Sequence, residues 1–233
     1  MKRGFDFCFS LLGLIIISPV FIVIIIILSL TGEREVFYLQ ERVGLNNKPF
    51  MIYKFATMKK NSSKMGTGYH TVRNDPRVTS FGKLLRLTKL NELPQILNVL
   101  KGDMSLVGPR PLILQSFKKY TEEVQAVIYK NKPGITGIGS LIFRDEEKLV
   151  TLYQETGGDT FYYYKTYIFP YKGALEKWYF ENVSLLVDLK ILSLTFLSLI
   201  YDNNHIIYKQ LKGIPEKPEM LTKDGILKNN EKK

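Results

Sequence analysis

The chain has 233 residues, a formal net charge of +11 and 45% hydrophobic residues, which suits one ordinary domain with appendages. The single cysteine, Cys8, excludes a disulfide framework within the chain, and the two histidines, His70 and His205, lie far apart, so a Cys/His zinc site and a Ser-His-Asp triad are poorly supported. Any chemistry here rests on carboxylates, arginines, lysines and a hard cation. Between Arg42 and Lys89 eleven Lys/Arg stand against one acid, Asp75, which places +10 of the charge in that block. Such a block is a solvated basic face near a membrane or a site for phosphates, lipid headgroups or nucleic acid, and the two readings are compatible.

Residues 7–30 are apolar throughout and carry no charge. A membrane span needs roughly 20 apolar residues, so the segment qualifies. It is long for a cleaved signal peptide, and no small-x-small cleavage pattern follows it. Ser18-Pro19 interrupts it near the middle. Proline removes a backbone donor, and in lipid the freed carbonyl needs a partner that a nearby serine hydroxyl can supply. A kinked spanning helix and a helix-break-helix that enters and leaves on one face both fit. The basic flanks suit the second, because positive residues stay cytoplasmic.

Beyond the apolar segment, short β-like runs are expected at 36–39 and 50–55, separated by a turn at Gly44-Leu-Asn-Asn. Residues 61–77 read as a polar loop, Asp75-Pro76 as a turn and 81–87 as a helix. Asn91 is placed as a helix N-cap, with Glu92 against the helix dipole and Pro94 in the first turn. Leu93, Ile96, Leu97 and Leu100 follow helical spacing toward a core, and Gly102 ends the helix. Phe117, Tyr120, Val124, Val127 and Ile128 outline another helix, stopped by "KPGITG" at 132–137. A further helix is expected over 144–156. Residues 159–180 are tyrosine-rich, and 184–200 form an apolar stretch whose Asp188 and Lys190 favour an interfacial or buried helix over a span. The lysine-rich segment from Tyr201 reads as loose.

Arg86, Glu92 and Arg110 bracket one expected helix start. Helix N-termini and arginines both favour phosphate oxygens. Glu92 is able to hold Mg²⁺, which normally takes few carboxylates plus substrate phosphates. Arg110 in "GPRP" sits on a stiff backbone suited to preorganisation. On spacing alone, a carboxylate decorating a helix start amid surface arginines is the simpler account. Other scaffolds fit less well: no Walker loop, no GxGxxG and no DxD is present, and Gly66-Thr-Gly68 is weak. Tyr162 to Tyr164 could stack on bases, but the basic block is distant in sequence and aromatics near a membrane usually mark its interface.

The chain resembles the bacterial sugar transferases, the monotopic polyprenyl-phosphate phosphoglycosyl transferases, in their small form. The likeness runs from "KRGFDF" to about Ile200 and includes the Ser18-Pro19 break, "ERVGL", "YKFATM", "NDPRVTSFGKLLR", "NELPQILNVLKGDMSLVGPRPL", "KPGITG" and "VDLKIL". It implies an α-rich protein with minor β: a re-entrant anchor over 1–34, a small cytoplasmic catalytic domain with interfacial helices over 35–200 and a basic C-terminal tail over 201–233. It implies transfer of a sugar-1-phosphate from a UDP-sugar to undecaprenyl phosphate, with release of UMP and use of Mg²⁺, at the cytoplasmic face of the bacterial inner membrane. Capsule or exopolysaccharide synthesis would begin there. Nucleic acid is not an expected partner, and a homo-oligomer is compatible with the reading.

The family uses an Asp-Glu dyad in which the Asp attacks the β-phosphate. Glu92 matches the Glu, and Arg86, Arg110 and Asp188 match positions implicated in the site. Asn91 stands where the family has Asp, and Ala56 where it usually has a basic residue. An amide is not an ordinary phosphoryl nucleophile. An active enzyme using another nucleophile or direct transfer, with Glu92, Asp145, Glu146 and Glu147 as candidates, is the favoured account of Asn91. A catalytically impaired membrane-bound relative acting as a binding or scaffold protein is the alternative, and an introduced change is a third.

Overall fold

The computed structural model describes residues 2–62, 75–200 and 204–231. Most of the loop expected at 61–77, with Gly66, Gly68 and His70, and the first residues of the C-terminal segment, 201–203, lie outside the described residues. The described residues are rich in helix, with two small two-stranded sheets among them. The chain forms two compact units, one made of Met1–Glu41 and Phe50–Met104, the other of Arg42–Pro49 and Ser105–Lys233.

The first unit is organised on α1, Lys2–Leu30, one continuous helix with Pro19 inside. Proline lacks the N–H that would bond the carbonyl four residues back, that of Ile15. The Ser18 hydroxyl donates to that carbonyl at 2.7 Å, so the break anticipated at Ser18-Pro19 is chemically repaired. One side of α1 is buried through Phe21, Ile24 and Leu28, which pack with Phe55 and Leu85. Leu12, Ile15, Ile16, Ile22, Val23 and Ile26 stay exposed, an apolar face larger than a soluble surface normally shows.

The hairpin follows as β1, Phe37–Val43, and β2, Pro49–Phe55. The first strand is longer than the run at 36–39, because Gln40 to Arg42 continue the pairing on a largely exposed strand where polar side chains cost little. The turn holds Asn46 and Asn47 at positive φ, a conformation asparagine tolerates better than most residues. Next come α2, Ser80–Leu87, capped by Thr79, whose side chain accepts from the Gly82 amide, and α3, Gln95–Lys101. As the sequence indicates, α3 stops at Gly102, which adopts φ 97°.

The second unit begins with β3, Ser105–Val107, paired in parallel with β4, Gly134–Thr136. Backbones approach so closely here that a Cβ on Gly108 would lie 2.2 Å from the Lys132 carbonyl and one on Gly134 2.1 Å from the Gly108 nitrogen. The "VGPRP" and "KPGITG" motifs are thus two halves of one contact. The single helix outlined by Phe117 to Ile128 is instead two, α4 at Leu114–Phe117 and α5 at Glu122–Val127. Thr121 separates them by taking an extended conformation and accepting from the Val124 amide as N-cap.

Short α6, Ile138–Ile142, precedes α7, Glu146–Glu155, which fulfils the helix expected over 144–156. The tyrosine-rich stretch becomes α8, Thr160–Tyr163, a π-turn and α9, Phe169–Asn182. Tyr163 is fully buried and stacks on Tyr153 at 4.2 Å, so it belongs to the core. The apolar stretch forms α10, Leu185–Ile200, buried through Asp188, Ile191 and Leu194 while Leu186 and Phe196 are exposed. The segment after 203, read as loose, is folded. Its helices α11, Asn204–Gln210, and α12, Lys223–Glu231, with the turns that flank them, place Ile207, Leu211, Leu221 and Ile226 in the same core as Tyr179 and Ile191. Apolar residues spaced between the lysines drive that docking.

Candidate active site

Arg86 lies in the last turn of α2. Lys89 follows at φ 60°, a left-handed residue that ends the helix and starts a 3-10 turn over Leu90–Glu92. Asn91 and Glu92 sit in this turn. Asn91 is therefore not the N-cap of α3. Pro94 occupies that place, where its missing N–H costs nothing. The turn is anchored by Leu90 and Leu93, which pack on the core that holds Phe21 and Leu85.

Glu92 has a partner that periodicity did not reveal. Lys54 Nζ, from β2, donates to Glu92 Oε1 at 2.7 Å, with side-chain exposures of 17% and 25%. The pair is shielded enough to matter electrostatically yet open on one side. The same unit holds a second ion pair. Asp75 accepts from Arg77 Nε at 2.9 Å and from Nη2 at 2.6 Å, an almost fully buried bidentate pair. Arg77 also donates to the Ser62 carbonyl at 2.8 Å. Burial pulls the Arg86 guanidinium below its usual range; Asp75 and Glu92 act against that shift, and the like charge of Arg77 acts with it. Lys54–Glu92 and Arg77–Asp75 are thus two ion pairs of the first unit, and the Arg86 guanidinium feels the charges of Asp75, Arg77 and Glu92.

Arg110 and Asp188 belong to the second unit. Arg110 is exposed, but its neighbours Gly108, Pro109 and Pro111 are buried. The backbone under it is held at nearly every polar atom. The Gly108 amide donates to the Thr136 carbonyl at 2.9 Å, and the Pro109 carbonyl accepts from the Gly134 amide at 2.9 Å. The Tyr129 hydroxyl donates to the Arg110 carbonyl at 2.7 Å and accepts from the Leu112 amide at 2.9 Å. Arg42 Nη1 donates to the Pro111 carbonyl at 3.3 Å. This is the stiff platform that "GPRP" suggests. Asp188, in the first turn of α10, is 1% exposed and accepts from the Tyr179 hydroxyl at 2.7 Å; that hydroxyl also lies 3.1 Å from the Val107 carbonyl, where the loop begins. Of the other acids named from sequence, Asp145 pairs with Lys148 and Glu146 with Lys172.

The structure pairs Glu92 with Lys54 and Asp75 with Arg77, in the same unit as Arg86. Two of these were detectable in sequence: Asp75 as the sole acid in a basic block, and Lys54 as the lone charge in "FMIYKF". Tyr129 and Tyr179 carry no such signal. For a divalent cation, Glu92 stands as one carboxylate, and among the described residues no three His, Cys, Asp or Glu gather. One carboxylate completed by substrate phosphates and water is a donor set that fits Mg²⁺.

These ion pairs lie in the unit that carries the 29-residue apolar helix α1. A profile of the family described as bacterial sugar transferase matches residues 1–202. The chain belongs to the bacterial sugar transferase family. It is 35% identical over 218 residues to the uncharacterized sugar transferase EpsL of Bacillus subtilis, covering 91% of this chain and 96% of that protein. It is 37% identical over 144 residues to the UDP-N-acetylgalactosamine-undecaprenyl-phosphate N-acetylgalactosaminephosphotransferase of Aeromonas hydrophila, with 61% of this chain and 34% of that one covered. Against the UDP-glucose:undecaprenyl-phosphate glucose-1-phosphate transferase of Escherichia coli, identity is 41% over 140 residues, 59% of this chain and 30% of that one. The resemblance read from the motifs is borne out. The matched region contains Lys54, Asp75, Arg77, Arg86, Glu92 and the Arg110 loop.

Proposed function

We propose that this protein is a phosphoglycosyl transferase that moves a sugar-1-phosphate from a UDP-sugar to undecaprenyl phosphate, releases UMP and so starts a surface polysaccharide such as capsule or exopolysaccharide. The observation that carries this reading is the Lys54–Glu92 pair in the unit built on α1, which also carries Arg86. Arg86 and Lys54 would bind the diphosphate and stabilise charge that builds on its oxygens. Arg110, fixed from below, would orient a phosphate by a forked contact. Asp188, through Tyr179, would steady the strand end that leads into the Arg110 loop. Glu92 would hold Mg²⁺, which when bound neutralises phosphate charge.

The contacts of α1 favour a monotopic anchor over a spanning one, although α1 is a single helix and not the helix-break-helix expected from Ser18-Pro19. A straight 29-residue helix would be about 43 Å long, more than a bilayer core of roughly 30 Å. Yet α1 touches its own unit along most of its length. Arg3 donates to the Val99 carbonyl and, at 2.7 Å, to that of Leu100. A Cβ on Gly13 would meet Ile96 at 3.3 Å, and Phe21 to Leu28 pack on Phe55 and Leu85. A spanning helix would carry one end away from these partners. This supports a monotopic protein of the bacterial inner membrane, with the anchor at 1–34, the transferase domain at 35–200 and the basic C-terminal segment at 201–233 on the cytoplasmic face.

The test is UMP release from a panel of UDP-sugars with undecaprenyl phosphate and Mg²⁺. The chain as written should turn over, and Glu92→Gln should lose roughly a hundredfold or more. Full transfer by a protein with Arg86, Glu92 and Arg110 all changed to alanine would sink the reading. Asn91 is the one observation that favours a second, a membrane-bound relative that binds UDP-sugar without turnover. In the same assay it predicts UMP release only after Asn91→Asp.

A further inference from the structure

Asn98 lies on α3, the helix that continues from the Glu92 turn, and is fully buried. Its side chain is turned to β2, the strand that carries Lys54. Oδ1 accepts from the Tyr53 amide at 2.9 Å, and Nδ2 donates to the Met51 carbonyl at 2.8 Å. A side-chain amide offers an acceptor and a donor in one plane. Here it meets the strand as a residue of a parallel neighbour would, taking the N–H of one residue and the carbonyl of the residue two before it. The main chain of Asn98 is held as well. Its carbonyl accepts from the amides of Gly102 at 3.0 Å, Asp103 at 3.0 Å and Met104 at 3.2 Å, so the grip on β2 is mounted on a closed helix end.

Lys54 follows directly on that grip and precedes Phe55, which is buried in the core with Phe21 and Leu85. Burial of Phe55 decides which face of β2 Lys54 occupies, since successive strand residues point to opposite sides. It does not decide the distance between β2 and α3, because apolar contact has no direction. The two hydrogen bonds from Asn98 do, since they are short and directional. Glu92 reaches Lys54 at 2.7 Å from the turn that leads into the same helix.

We propose that Asn98 is a positioning residue for transfer: its amide fixes β2 against α3 and so holds Lys54 at Glu92. Without that amide, the Tyr53 N–H and the Met51 carbonyl lose this partner, and β2 is free to shift along α3. A displacement of about 1 Å at a site of this kind costs on the order of a hundredfold in rate. Asn98 touches no reacting group and acts through Lys54. The inference rests on the phosphoglycosyl transferase reading, in which Lys54 binds the diphosphate.

The experiment is a double-mutant cycle on the full chain in detergent, with Mg²⁺, undecaprenyl phosphate and the panel of UDP-sugars. Transfer is compared for the parent, Asn98→Ala, Lys54→Met and the double variant, well below the Tm of each. A radiolabelled donor keeps the slow Lys54→Met rate countable. Asn98→Ala should lower transfer at least about tenfold in the parent and less than about threefold once residue 54 is methionine, because the interaction it serves is already gone. A residue that serves only the fold has no such dependence on position 54 and lowers transfer equally in both backgrounds. A smaller loss in the parent, or a larger one beside methionine, overturns the inference and leaves the transferase reading intact. No turnover by the parent with any donor overturns both. Asn98→Asp has the same size and still accepts from the Tyr53 amide, so it takes the place of the alanine variant in the cycle if that one does not fold. Failure of both to fold means that the amide serves the whole unit, and it overturns the role given to Asn98.

Discussion

The Tyr129 hydroxyl bridges the Arg110 carbonyl and the Leu112 amide, at 2.7 Å and 2.9 Å, from a side chain that is 1% exposed. Burial raises its ionisation well above the usual tyrosine range, so it stays a donor at any working pH. Tyr129→Phe keeps the packing on Phe117 but leaves a part-buried amide and carbonyl without this partner. A stability loss of about 1–3 kcal/mol is expected. Because Arg110 is displaced with its backbone, kcat/KM should fall roughly tenfold to a hundredfold. Thermal unfolding and steady-state kinetics on the same preparation check both. A lowered Tm with unchanged kinetics would mean that Tyr129 serves the fold alone.

Lys54 and Glu92 meet across 38 residues of sequence. Lys54→Met removes the cation and should reduce transfer by roughly a hundredfold. Lys54→Arg keeps the charge with a different shape and should retain a measurable part of the rate. A UMP-release assay across Mg²⁺ concentrations checks this. Methionine and arginine variants with equal rates would remove charge from the explanation.

The path of α1 makes a topological prediction. In a Cys8→Ser background, a cysteine placed before residue 5 and one placed near residue 34 should both escape a membrane-impermeant reagent applied from outside. Outer-face labelling at either site would mean a spanning helix. Arg3→Met should also destabilise the first unit by about 1–3 kcal/mol, since two carbonyls at the end of α3 lose a charged donor.

Glu176 on α9 is 5% exposed, and burial pushes its carboxyl up to about 8, with Lys172 opposing the shift only in part. The folded state keeps the proton at pH values where the unfolded chain, near 4.5, has lost it. The folded-state pKa is the higher of the two. The associated stability is therefore complete below about pH 4.5 and is lost as pH rises through 8. Each unit of separation corresponds to about 1.4 kcal/mol, so a decline of a few kcal/mol between pH 5 and pH 8 is expected. Glu176→Gln should flatten that decline and be the more stable form at pH 8. Denaturation in nanodiscs across this range measures it.

The sequence by itself determined whatever depends on near neighbours. It located the apolar helix and the carbonyl that Ser18 satisfies, the asparagine turn of the hairpin, the stop at Gly102 and a helix expected over 144–156 and found at 146–155. Each follows from propensity, periodicity or a missing donor within a few residues. Its motifs also carried the family, with Arg86, Glu92, Arg110 and Asp188 as site candidates. Only the tertiary structure decided what those residues touch. That Asn91 lies in a 3-10 turn rather than capping α3 follows from the left-handed backbone at Lys89 and from Leu90 and Leu93 packing on a distant core. The pairing of Lys54 with Glu92, the clamp of Tyr129 on the Arg110 loop, and the docking of residues 204–231 on the core join parts of the chain far apart in sequence. Such contacts come from complementary burial and hydrogen bonding across the fold, and no local pattern encodes them.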